Sequence, residues 1–214
     1  MISFIIFTFF LAIDGLCFNH GFYHYEFHDL KVADTLGVSE DELFNATDIL
    51  LDYTRAKRDD MIAYADFDGV YQEFYNEREK AHMVDVQSLY LNTKMVAYTS
   101  MAIFVISILL LIKDKDIFFD LTAAYRHCLY VLGFILAVLI FFILVDFNAF
   151  WLNFHYLLFD NDLWLLDPLT SNLIKMVPEQ FFNHLVLLIS ITYIFILGLT
   201  AFILRYFRKR DFND

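Results

Sequence analysis

Two histidines carry the best chemistry in this sequence. His82 lies in Glu79-Lys80-Ala81-His82-Met83-Val84-Asp85, with carboxylates three residues to either side. On a helix those three residues share a face. A carboxylate beside an imidazole fixes its tautomer and raises its basicity. His155 stands in Phe154-His155-Tyr156 with Phe159 close behind. Two imidazoles from distant segments can divide general-base and electrostatic work between them. Each also has a plainer reading, His82 as part of a solvated ion-pair network and His155 as an amphipathic anchor at a membrane surface. No GxSxG elbow, P-loop, HExxH or CxxC pair occurs, so the familiar nucleophile, phosphate and metal signatures are absent. His20, His24 and His28 repeat every fourth residue, a spacing that a metal site or an ordinary surface helix would equally use. His127 and His184 flank apolar runs and read as interfacial residues.

The elements that must position this pair are membrane helices. Of 214 residues, 59% are hydrophobic and 19% aromatic, yet the net charge is −12. Soluble domains are about 45–50% apolar, so the excess points to a bilayer. The acidic balance excludes a nucleic-acid binder, and two cysteines are too few for a disulfide scaffold. Apolar runs over Ile2–Phe18, Met95–Ile112, Cys128–Val145 and Leu185–Leu204 each approach the roughly 20 residues that cross a bilayer as a helix. The expected layout is span 1 over 1–19, a cap segment over 20–92, span 2 over 93–112, and a cytoplasmic loop over 113–127. Span 3 over 128–146, a second cap segment over 147–183, span 4 over 184–204 and a tail over 205–214 complete it. The first run lacks a basic lead and a small-residue cleavage site, so it reads as a retained anchor. Cys17 and Cys128 fall in or beside spans and read as small buried hydrophobes.

Seven of the 15 basic residues lie in the 113–127 loop and the tail. The positive-inside rule then puts both termini in the cytoplasm. The segment His20–Lys94 carries −9, Asp146–His184 carries −4, and the cytoplasmic parts +2. Apart from Asp14, the acidic excess is extracytoplasmic. Within the cap, Ser39-Glu40-Asp41-Glu42 is a capping box opening a helix through about Arg55. Gly37 breaks the short helical stretch before it, and Asp66–Gly69 reads as a loop. From about Phe74 no Gly or Pro intervenes before Lys113, which predicts one long helix continuing into span 2. Trp151, Phe154, Tyr156, Phe159 and Trp164 suit the headgroup zone.

Three stretches then carry a family resemblance. They are Phe22-Tyr23-His24-Tyr25-Glu26-Phe27 followed by Leu36-Gly37-Val38-Ser39; Glu79 through Val86; and Phe154-His155, Phe159, Asn161-Asp162, Trp164, Asp167-Pro168 with Pro178-Glu179 and Phe181-Phe182. In this order they resemble the four-span membrane proteins of Gram-positive bacteria that include the lipoprotein intramolecular transacylase. The resemblance covers nearly the whole chain. It implies an all-α integral membrane protein, four transmembrane helices with an extracytoplasmic cap. It implies an acyltransferase that moves the sn-2 acyl chain of a diacylglyceryl lipoprotein to the α-amino group of its N-terminal cysteine. The catalytic histidines would correspond to His82 and His155. Glu79, Asp85, Asn161, Asp162 and Asp167 would support them, and Tyr23, Tyr25, Phe159 and Trp164 would wall the substrate. With Glu79 or Asp85 at hand, His82 is the expected base and His155 the expected oxyanion group, though the roles could be exchanged. No cofactor or metal is expected. The partners are diacylglyceryl lipoproteins and membrane lipid, with no nucleic acid, and a monomer is the expected state.

Two other readings compete. A membrane assembly or accessory protein would use the acidic cap to hold a partner, with structural histidines. A metal-dependent membrane hydrolase would use His82, Asp85, His155 and Asp162. A transporter is disfavoured by the near absence of mid-span charge and of an inverted repeat.

Overall fold

In the computed structural model, residues 1–111 and 117–211 are described. The loop residues Lys113 and Lys115, on which part of the orientation rests, lie outside them. The order is α1 (Ile2–Cys17), α2 (His20–Asp29), α3 (Val32–Leu36), α4 (Glu40–Thr54), β1 (Tyr64–Phe67), β2 (Val70–Glu73), α5 (Glu77–Leu111), α6 (Ile117–Val145), α7 (Phe147–Leu158), α8 (Asn172–Met176) and α9 (Glu179–Asp211). Three helices, α5, α6 and α9, are long and apolar enough to cross a membrane, and the broken pair α1–α2 makes a fourth if counted as one span. Alone, α1 has 16 residues and rises about 24 Å, short of the roughly 30 Å hydrocarbon core. The chain divides into two units, Met1–Cys17 with Thr93–Phe147 and Val186–Asp214, and Phe18–Asn92 with Asn148–Leu185.

The first unit holds the apolar runs. Ile5, Ala12, Tyr125, Tyr193 and Leu197 form its buried cluster. Its buried hydroxyls end on helix carbonyls: Tyr193 donates to Ile5 O at 3.0 Å and Tyr125 to Leu197 O at 2.8 Å. Outward, Leu110, Phe134, Leu144 and Phe195 are exposed. Such a surface is a liability in water and is the natural contact with lipid. Cys17 and Cys128 are not in a disulfide, and both are half-buried.

The second unit is built from short elements joined by side-chain caps. Ser39 and Glu42 form the expected capping box at the start of α4. Glu42 also accepts the Asp66 amide at 2.9 Å, so the cap glutamate ties α4 to β1. Gly37 ends α3 at φ +70, and a Cβ there would stand 2.6 Å from the Asp68 carboxylate. Where a loop is expected at Asp66–Gly69, the chain instead makes an antiparallel hairpin, with Phe67 opposite Val70. Asp68 and Gly69 both have positive φ. Asp-Gly is the usual two-residue turn between strands, so the signal was present in the sequence. The long helix expected from about Phe74 is α5, 35 residues without a break. Residues 117–127, expected as loop, are the first turns of α6.

Candidate active site

The chemistry gathers in the second unit, where α5 brings His82 and α7 brings His155. Their ring centroids are 6.2 Å apart. Phe159 sets its edge to His82 at 5.3 Å and lies 5.8 Å from His155. Trp164 stacks on the His155 ring at 4.9 Å and Trp151 meets it edge-on at 4.7 Å. His82 is 7% exposed and His155 9%. The pair therefore sits in an aromatic cage that leaves little room for water.

The two imidazoles differ in how they are held. His155 Nδ1 lies 2.8 Å from the carbonyl of Trp151, one turn earlier on α7. A carbonyl only accepts, so Nδ1 carries the proton and neutral His155 keeps its lone pair on Nε2. His82 Nδ1 is buried with no hydrogen-bond partner among the described residues. Buried polar atoms are almost always satisfied, and one left open beside a second imidazole is available to a substrate. Burial, then the neighbouring His155, push the His82 pKa down to about 4, with Asp85 opposing. Burial lowers His155 as well, against the hydrogen bond to Trp151. Both rings are neutral at pH 7.

The expected supporting residues separate into distinct tasks. Glu79 is fully buried but does not orient His82. It accepts the Asn76 amide at 2.6 Å, the Ser171 hydroxyl at 2.5 Å and the Leu173 amide at 2.6 Å. In return the Glu79 amide donates to Asn76 Oδ1 at 3.0 Å. The carboxylate thus closes the start of α5 and clasps it to the start of α8. Asp85 accepts from Asn161 Nδ2 at 2.9 Å, and the Asn161 carbonyl accepts Trp164 Nε1 at 2.8 Å. Through that chain α5 fixes the indole that stacks on His155. Asp162 is held by Arg78, through its carbonyl and through its carboxylate at 3.5 Å. Asp167 shapes the turn before α8, accepting the Leu169 amide at 2.9 Å.

Of the four expected wall residues, Phe159 and Trp164 flank the histidines. Tyr23 instead packs with Phe27 and Phe181. Tyr25 is exposed and lines a cavity of about 420 Å³ with His24, His28 and Phe44. His20 pairs with Asp48 at 3.2 Å, His24 stacks on Phe44 at 3.7 Å, and His184 meets buried Glu26 at 2.8 Å. Among the described residues, no three His, Cys, Asp or Glu side chains converge as metal ligands. The sequence reading missed Ser171, whose hydroxyl completes the Glu79 clasp, and Arg78. It also missed that the Trp151 carbonyl would set the tautomer of His155. The i−4 spacing of Trp151 and His155 on one helix was the available signal.

A mostly helical chain with spanning helices and a caged pair of neutral imidazoles defines an integral membrane protein. The chain belongs to the lipoprotein intramolecular transacylase (Lit) family of acyltransferases, whose family model matches residues 1–182. Its fold is that of the membrane integral lipoprotein intramolecular transacylase Lit from Bacillus cereus, solved in meso, with a TM-score of 0.78 and 23% identity over 99% of this chain and 94% of that one. A variant of the Bacillus cereus protein with one histidine changed to arginine gives a TM-score of 0.73 and 24% identity, covering 99% of this chain and 90% of the other. No curated protein matches the sequence.

Proposed function

We propose that this protein moves the sn-2 acyl chain of a diacylglyceryl lipoprotein to the α-amino group of its N-terminal cysteine, leaving a lyso-form lipoprotein. The observation that carries the reading is the caged pair of neutral imidazoles, 6.2 Å apart. The amine nitrogen forms a bond to the ester carbonyl carbon. The bond from that carbon to the sn-2 oxygen breaks, and the proton lost by the amine ends on the freed glyceryl hydroxyl. Nucleophile and ester belong to one molecule, so no acyl-enzyme is needed. Holding them in line is worth up to about 7–11 kcal/mol. Phe159 and Trp164 keep water from the carbonyl, which protects the acyl chain from hydrolysis.

The hydrogen bonding favours exchanging the roles first expected. His155 Nε2 has the free lone pair, in a ring held by the Trp151 carbonyl, and takes the amine proton before passing it to the leaving oxygen. His82 stays neutral and acts as a hydrogen-bond donor to the tetrahedral oxyanion, a role suited to an imidazole of low pKa. The second unit faces the outside of the cell, both termini face the cytoplasm, and the protein acts as a monomer on lipoprotein and lipid. The positive-inside distribution supports that orientation.

The test is mass spectrometry of lipoprotein N-terminal peptides from a host that makes diacylglyceryl lipoproteins. His82→Ala and His155→Ala should each lose about 10²- to 10⁴-fold in transfer. His82→Gln, which keeps an N–H donor, should retain more activity than His155→Gln, which has no proton-accepting nitrogen. The opposite ranking returns the base to His82, and full transfer by both alanine variants overturns the proposal.

A further inference from the structure

A second site lies wholly within the first unit. A cavity of about 320 Å³ opens between α6 and α9, lined by Arg126, Arg205 and Arg208. Leu129, Ala201 and Leu204 complete its wall, and these three pack against the buried cluster of Tyr125, Tyr193 and Leu197. The hollow is thus part of the helix packing, with an apolar floor and a cationic rim. The hydroxyls that also line it are already used: Thr122 donates to Phe118 O at 2.6 Å and Tyr125 to Leu197 O. The guanidinium groups are not so used. Among the described residues no carboxylate pairs with any of the three, although the chain as a whole is acidic.

Three arginines lining one hollow, with no carboxylate partner among the described residues, match the oxygens of a phosphodiester, which guanidiniums bind in planar, two-pronged fashion. An apolar floor on two membrane-spanning helices matches the acyl chains below such a headgroup. Loose basic residues at a span end need only the positive-inside rule. Three that line one hollow from two helices, above an apolar floor, offer a place for a ligand. We propose that this cavity binds one anionic phospholipid by its phosphate, clamping α6 to α9 within the first unit. Basic pockets between membrane helices recognise anionic headgroups in this way. The site is independent of the acyl-transfer reading, because a diacylglyceryl lipoprotein carries no phosphate at its glycerol.

Native mass spectrometry of the full-length protein in detergent tests this, with phosphatidylglycerol and phosphatidylcholine offered together. The wild type should hold one phosphatidylglycerol in preference. Near a membrane each basic residue contributes about 1 kcal/mol, so removing all three with Arg126→Gln, Arg205→Gln and Arg208→Gln should lower the preference about a hundredfold. Lipoprotein transfer by that variant shows that it folds. Changing all three to Lys keeps the charge but loses the planar fork, and should lower the preference about tenfold. Lys209→Gln, an exposed neighbour outside the cavity, should change it less than threefold. If Lys209→Gln matches the effect of Arg205→Gln, the attraction is diffuse and the site is overturned. Displacement of the lipid by millimolar inorganic phosphate would make the occupant a free anion and equally overturn it.

Discussion

The two units satisfy their buried polar groups in different ways. In the first, hydroxyls reach helix carbonyls: Tyr193 to Ile5 O, Tyr125 to Leu197 O, Thr8 to Ile5 O. Each carbonyl already belongs to a helix, so the side chain adds a link without being the only partner. In the second, side chains close bonds that the backbone alone leaves open. Glu79 takes amides at the starts of two helices, and Asn161 joins Asp85 to Trp164. A bundle in lipid must satisfy its backbone within each helix. A unit of short helices and loops has many free helix ends and spends its carboxylates and amides there. Acyl-transfer chemistry needs fixed side chains, and the second unit is where they are fixed.

The strongest test of that contrast is Glu79. Glu79→Ala leaves two buried donors, the Ser171 hydroxyl and the Leu173 amide, and the part-buried Asn76 amide without their acceptor. At about 1–3 kcal/mol for each unsatisfied buried group, the two buried donors should cost at least about 2 kcal/mol of stability. Transfer should fall with it, because the segment leading to α8 loses its clasp to α5. Glu79→Gln keeps part of the acceptor set and should recover part of the loss. Thermal unfolding and the lipoprotein assay, run together, check both. An alanine variant with wild-type melting would show that the clasp carries no weight.

His82 makes the second unit sensitive to acid. Its folded-state pKa is about 4 and its unfolded value about 6.5. Between those values the unfolded chain takes up a proton that the folded chain refuses. Stability from this group is therefore complete above about pH 6.5 and falls as pH drops toward 4. The loss is about 2 kcal/mol at pH 5 and about 3 kcal/mol in all. Wild type and His82→Phe should accordingly diverge in denaturant midpoint between pH 7 and pH 5, with the variant changing less. Parallel curves would show that His82 is not held neutral by its surroundings.

Legibility in the sequence follows the same division. The long apolar helices, the capping box at Ser39 and the unbroken α5 are local patterns, set by hydrophobic runs or by residues three apart, and the chain forms them, although α1 alone is too short to cross. The hairpin at Asp68-Gly69 is equally local, an Asp-Gly turn joining two short strands where a loop is expected. The histidine pair could be named because each histidine has a distinctive neighbourhood, not because any pattern brings residues 82 and 155 together. What could not be read is what holds them. Glu79 finds Ser171 and Leu173, and Asp85 finds Asn161, across 92, 94 and 76 residues. No periodicity links such positions. The carboxylates three residues either side of His82 suggest helpers for the imidazole, while the fold directs one to the start of α8 and the other to Asn161.

The smallest effects should separate the units most cleanly. Tyr193 in the first unit and Tyr75 in the second are both buried, and each donates its hydroxyl to a helix carbonyl, Ile5 O at 3.0 Å and Ala46 O at 2.9 Å. Replacing either by Phe removes one bond and little volume. The acceptors keep their helical partners, so each change should cost about 0.5–1.5 kcal/mol at most. Inside a bilayer such bonds average about 0.6 kcal/mol, which places Tyr193→Phe at the lower end. Burial, then the charge of Glu79, pushes the Tyr75 phenol pKa well up; lying outside the bilayer and beside the Glu79 clasp, Tyr75→Phe should lie at the upper end and slightly lower transfer. Tyr193→Phe should leave transfer unchanged. Unfolding midpoints in one detergent, with the transfer assay alongside, decide the order. A larger loss from Tyr193→Phe would mean that the membrane bundle, like the second unit, depends on single polar links.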